Sequence, residues 1–138
     1  MSSRRPPDPG AETARHTADV LSAVLESGNL ARFTATGDSM HPFIRSGQQL
    51  TVEPIDPRAL RRGDVVLARL ERGLTAHRVV RIERRGGEVT SITTRGDNCD
   101  SDDASFSPDQ LVGRINSIRW GNLVTIIALA RRWVRRTR

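Results

Sequence analysis

Gly63-Asp64-Val65-Val66-Leu67-Ala68-Arg69-Leu70, then Glu71-Arg72-Gly73, then Leu74 to Glu83, then Arg84-Arg85-Gly86-Gly87, then Glu88 to Thr94: this run decides the fold. Gly63-Asp64 is a turn feeding an apolar strand, Val65 to Leu70. The chain turns at Glu71-Arg72-Gly73 and returns as a second strand carrying Ala76-His77-Arg78-Val79-Val80. It turns again at Gly86-Gly87 and comes back as a third. Strands closed by short glycine-containing turns predict an antiparallel meander.

Working outward, Gln49 to Glu53 reads as another short strand. Pro54 to Arg62 holds two prolines and reads as a loop with one helical turn. Leu30 to Thr36 is strand-like and leads into Gly37-Asp38-Ser39-Met40-His41-Pro42. In that hexapeptide Gly37 takes backbone angles other residues resist, and Pro42 fixes its own φ and pushes His41 toward an extended conformation. Such a turn can present the Ser39 hydroxyl while Met40 anchors in apolar surface. Farther upstream, Ala14, Ala18, Leu21, Val24 and Leu25 recur at spacings of three and four. They predict an amphipathic packing helix ending at Gly28 or Asn29.

Downstream, Arg95 to Pro108 is a polar loop with four aspartates between 97 and 103. The spacing misses the EF-hand pattern, with no glycine at the sixth position and no glutamate at the twelfth. A solvated turn and a loop that delivers a carboxylate to a histidine both fit. Gln110 to Ile118 reads as the last strand. The division expected is a disordered segment 1–10, a domain 11–118 (helix 11–28, β body 30–118) and a basic amphipathic tail 119–138.

Composition narrows the chemistry. The 138 residues suit one domain with a core of Val, Leu and Ile, since aromatics are only 4%. All 22 basic side chains other than histidine are Arg. That excludes a lysine base, a Schiff base and a P-loop lysine, and Arg does not surrender its proton. One cysteine, Cys99, permits no intramolecular disulfide, which fits a reducing compartment. The formal charge is +6, yet residues 131–138 hold five Arg and no acid, leaving 17 Arg against 16 acids elsewhere. No apolar stretch follows the amino-terminal segment, so neither a signal peptide nor an amino-terminal membrane span is expected.

In the tail, Leu123, Ile126, Ile127, Ala130 and Val134 share one helical stripe. The apolar stretch is shorter than the about 20 residues needed to cross a bilayer. With Arg131, Arg132, Arg135 and Arg136 it fits an anionic membrane surface, and it equally fits packing on the domain with solvated arginines. Few aromatics and a near-neutral body argue against nucleic acid as a partner. The expected location is cytoplasmic, or peripheral at a membrane.

Ser39, His77 and an aspartate at 102 or 103 are the residue types of a nucleophile, a base and the group that orients the base. A histidine flanked by small and apolar residues is also an ordinary structural residue. The local sequences say more. Gly37-Asp38-Ser39-Met40-His41-Pro42, Arg61-Arg62-Gly63-Asp64-Val65-Val66, Ala76-His77-Arg78-Val79-Val80-Arg81-Ile82, Thr94-Arg95-Gly96-Asp97-Asn98 and Leu111-Val112-Gly113-Arg114-Ile115 follow in order. This succession, over roughly residues 30 to 116, resembles the signal peptidase I clan of serine peptidases (S24/S26-like). It looks most like the Ser/His branch of the endoplasmic reticulum and archaea, in a small form lacking the amino-terminal membrane anchor. The absence of Lys agrees with that branch and argues against the self-cleaving repressors, which share the Gly-x-Ser-Met turn but need a lysine.

The resemblance implies a mainly β, antiparallel coiled-sheet fold of the signal-peptidase and LexA type, with an amino-terminal helix and a basic carboxy-terminal helix. It implies serine endopeptidase activity without metal or cofactor on an extended peptide or preprotein bound by strand addition, with small residues before the cleaved bond. Ser39 would be the nucleophile, His77 the general base, and Asp103, or next Asp102, the orienting acid. The Ser39 N–H would help form the oxyanion hole, with Met40 and Asp97 supporting the loops. Two departures stand out. Gly37 and Asp38 occupy positions where relatives carry a hydroxyl donor, so Asp38 is expected to point away from the oxyanion. Cys99 replaces a second Asn and is read as incidental. The alternative reading is a non-catalytic peptide-binding module that keeps the groove.

Overall fold

A computed structural model describes residues 9–71 and 73–116 of the chain. Helix α1 (Pro9–Glu26) precedes six strands: β1 (Ala31–Thr34), β2 (Gln49–Glu53), β3 (Val65–Leu70), β4 (Gly73–Arg85), β5 (Glu88–Arg95) and β6 (Leu111–Ile115). Single 3-10 turns lie at Pro57–Ala59 and Pro108–Gln110. The strands form one sheet in the order β1-β2-β6-β3-β4-β5, with every neighbouring pair antiparallel. This is the mainly β, antiparallel fold expected, with its amino-terminal helix. The meander is β3-β4-β5.

The apolar run in β3 has a physical reason. Its first four residues are buried on both faces of the sheet. Val65 and Leu67 belong to one core with Leu21, Leu25, Met40, Ile44, Leu50 and Val52. Val66 and Ala68 belong to a second, with Leu60, Val79, Ile92 and Phe106. Alternation along one strand thus serves two cores. The first core is closed by α1, whose Ala18, Leu21 and Leu25 are buried as their spacing predicts, while His16 is exposed.

Boundaries differ by one or two residues at several ends. α1 begins at Pro9 rather than at 11, because proline is tolerated in a helix's first turn, where its missing N–H has no helical partner. It ends at Glu26 rather than 28, because Gly28 adopts φ 82° and donates its N–H to the Leu25 carbonyl at 2.9 Å. β6 is shorter than the Gln110–Ile118 strand expected. The Gln110 side chain accepts the Ser107 N–H and donates to the Arg69 carbonyl, which ties it into the 3-10 turn ahead of the strand. Of the disordered segment expected at 1–10, Pro9 and Gly10 belong to α1; residues 1–8, and the basic carboxy-terminal helix expected in 119–138, lie outside the described residues. Among the described residues, no helix is long and apolar enough to cross a membrane.

Candidate active site

The Ser39 turn forms because its two ends are held differently. Gly37 takes φ 83°, the left-handed region that the residue type anticipates. The His41 N–H then closes onto the Asp38 carbonyl at 3.0 Å, and the Ile44 N–H onto the Met40 carbonyl at 3.0 Å. Met40, only 3% exposed, sinks into the first core as its anchor, and its Sδ accepts the Asp97 N–H at 3.3 Å. The Asp38 side chain is exposed, in keeping with the expectation that it points away.

His77 lies in β4 and is 7% exposed. Its Nε2 is 2.9 Å from Ser39 Oγ and its Nδ1 is 2.6 Å from Asp103 Oδ2. Asp103 is fixed twice more: its N–H donates to the Thr94 carbonyl, and Thr94 Oγ1 donates to Asp103 Oδ2, both at 2.8 Å. Because an ionised Asp103 can only accept, the ring proton belongs on Nδ1, which leaves Nε2 with a lone pair facing the Ser39 hydroxyl. Of the two aspartates left open by the sequence, Asp102 turns the other way and pairs with Arg95 at 2.6 Å.

The loop after β5 runs beneath this pair. The Asn98 N–H donates to the Ser39 carbonyl at 2.8 Å, and Asn98 Nδ2 donates to the Asp38 carbonyl at 3.1 Å. Gly96 is buried where a Cβ would stand 2.6 Å from the Ser39 carbonyl oxygen and 3.1 Å from His77 Nε2. Only a residue without a side chain lets the loop pass so close. Asp97 forms a two-pronged ion pair with Arg78, Nε and Nη2 each donating at 2.8 Å. Cys99 lines the cleft, with its Sγ 4.0 Å from the Ser39 carbonyl oxygen.

Ser39 and His77 face a cleft of about 660 Å³. One wall comes from β1 and the segment after it, including Phe33 and Ala35; another comes from Leu74 and Ala76 of β4. The loop 99–106 forms the third. Among the described residues, no group of three His, Cys, Asp or Glu is placed to hold a metal ion.

The comparison with known families matches residues 3–115 to Peptidase S24-like. The chain belongs to the Peptidase S24-like family. That S24-like match covers the helix, all six strands and each residue of the Ser39, His77 and Asp103 constellation. No match was found among curated proteins. Sequence reasoning missed Thr94, Asn98 and Arg78 in this S24-like site. Arg78 did leave a signal, since an arginine beside Val79-Val80 in an apolar strand is buried only when paired. Thr94 and Asn98 lie in the Thr94-Arg95-Gly96-Asp97-Asn98 motif, but their partners, Asp103 and the backbone of Asp38 and Ser39, are set by how the loop folds back.

Proposed function

We propose that this S24-like chain is a serine endopeptidase of the signal-peptidase type, using Ser39 as nucleophile and His77 as general base. One observation carries the reading: a single imidazole has the serine hydroxyl on one nitrogen and a carboxylate on the other, at the edge of an open cleft. His77 Nε2 takes the Ser39 proton as Oγ attacks the carbonyl carbon of the scissile bond. The tetrahedral oxyanion is held by backbone donors, the Ser39 N–H among them. His77 then gives the proton to the departing amine, leaving an acyl-serine. Water, activated by the same imidazole, releases the acid and restores the hydroxyl. Asp103 keeps the ring in the Nδ1–H tautomer and stabilises the imidazolium that forms. The absence of Lys supports the Ser/His branch over the Ser/Lys one.

The strand edges support an extended peptide as substrate. Among the described residues, β1 pairs only with β2, and β4 gains its β5 partner only from Arg78 onward, so Gly73 to His77 present an open edge there. Both edges line the cleft, and a peptide laid between them would add as a strand.

The test is incubation of wild type and Ser39→Ala with a mixed peptide library, read by mass spectrometry. Cleavage after small residues by wild type alone is expected. Equal cleavage by both would exclude Ser39 as nucleophile. Peptide retention without cleavage by either, with detergent and lipid also supplied, would assign a binding module.

A further inference from the structure

The cleft follows the open edge of β4 from His77 back to Gly73, where Leu70 and Gly73 pair to close the β3–β4 hairpin. Four steps of extended chain separate His77 from Gly73, about 13 Å. Glu71 stands in the hairpin turn and lines the cleft with Leu70, Leu74 and Gln110, at the end remote from His77. Charge is spread unevenly over this lining. The chain holds 22 arginines, yet among the described residues none lines the cleft. Three carboxylates do: Glu71, Asp102 and Asp103. Asp103 is engaged by His77 and Asp102 by Arg95. Glu71 is exposed and makes no ion pair among the described residues. Arg69, two positions before it, is turned onto α1: its Nη1 lies 2.9 Å from Asp19 Oδ1 and its Nη2 donates to Ser22 Oγ at 3.0 Å. Gln110 is occupied as well, donating to the Arg69 carbonyl and accepting the Ser107 N–H.

We propose that Glu71 forms an end subsite of the cleft, which selects peptides carrying Arg or Lys about four to six residues from the cleaved bond, on one side of it. This rests on the cleft being the peptide site. A peptide added along β4 keeps the strand's own rise, so its residues reach the hairpin turn at that separation. Leu70 and Leu74 offer apolar surface for the stem of a long basic side chain, and the Glu71 carboxylate takes its charged head. An acidic residue at the same place would meet a like charge, so the subsite rejects as well as attracts.

The experiment uses peptides built on the best-retained library sequence, with Arg, Ala or Glu set in turn at each position. In wild type, Arg at one such position should be favoured over Ala by roughly threefold to fivefold in kcat/KM, through KM, as an exposed ion pair allows. Added salt should shrink that ratio. Glu71→Gln should bring it to about one, and Glu71→Lys should reverse the preference toward Glu at the same position. Glu26→Gln, which alters an exposed acid of α1 outside the cleft, should keep the wild-type ratio. An unchanged ratio in Glu71→Gln overturns the subsite. So does an equal preference for Arg at every position, which would be attraction of charge in general. A wild type that cleaves none of the peptides defeats the peptidase reading, and fluorescence anisotropy with the same peptides then judges Glu71. Tighter binding of the Arg peptide by wild type, lost in Glu71→Gln, upholds the subsite; equal affinities in wild type, or no binding, overturn it.

Discussion

Asp102 and Asp103 are adjacent in sequence and lead to different partners, Arg95 and His77. Asp103→Asn should therefore lower kcat on the order of 10,000-fold, as expected when a base loses its orienting carboxylate. Asp102→Asn should leave kcat nearly unchanged, since it removes a partly exposed ion pair of small worth. Steady-state rates on one peptide settle the matter, and the reverse ranking would move the orienting role to Asp102. Gly96 makes a second prediction at this scale. A methyl group there meets the Ser39 backbone oxygen at 2.6 Å and Cys99 Sγ at 2.7 Å. Gly96→Ala should thus cost about 100-fold or more in kcat by displacing the serine turn from His77. Full activity in Gly96→Ala would mean that the loop yields without moving the serine. The sequence marks Ser39 and His77 by their local motifs. It leaves Asp102 and Asp103 open, because two neighbouring carboxylates differ only in where the loop aims them.

Strand β3 and the β2–β6–β3 region carry the stability. Leu67 is 0% exposed in the first core, so Leu67→Ala should destabilise by about 2–5 kcal/mol through lost burial and the cavity left behind. Gly113 in β6 sits where a Cβ would be 2.6 Å from Val52 Cγ1 and 2.7 Å from the Glu53 carbonyl oxygen. Gly113→Ala should cost about 1–3 kcal/mol by wedging β6 from β2. Urea unfolding midpoints measure both; an unaltered midpoint in Gly113→Ala would show that the strands part freely. Strand identity was legible because β3 opens on four apolar residues, Val65 to Ala68, and its neighbours are punctuated by glycine. Strand order was not. β6 inserts between β2 and β3, a pairing of residues more than 40 positions apart that leaves no periodic trace.

Across the whole molecule, charge is divided between a near-neutral body and an arginine-rich end. If residues 119–138 are a membrane-surface anchor, deleting them should weaken binding to anionic vesicles by at least about tenfold, because each basic residue near such a surface contributes roughly 1 kcal/mol. Sedimentation with vesicles at two salt concentrations checks this, and unchanged binding would rule the anchor out. The sequence by itself determined the antiparallel class, the amphipathic helix, the serine turn and the exclusion of lysine chemistry. Each of these follows from composition or from residues close together in the chain. Only the tertiary structure set Asp103 rather than Asp102 against His77, brought Arg78 against Phe43 and Asp97, and, among the described residues, left two strand edges open beside Ser39. Those outcomes depend on contacts between segments distant in sequence, whose geometry is set when the two cores pack around β3.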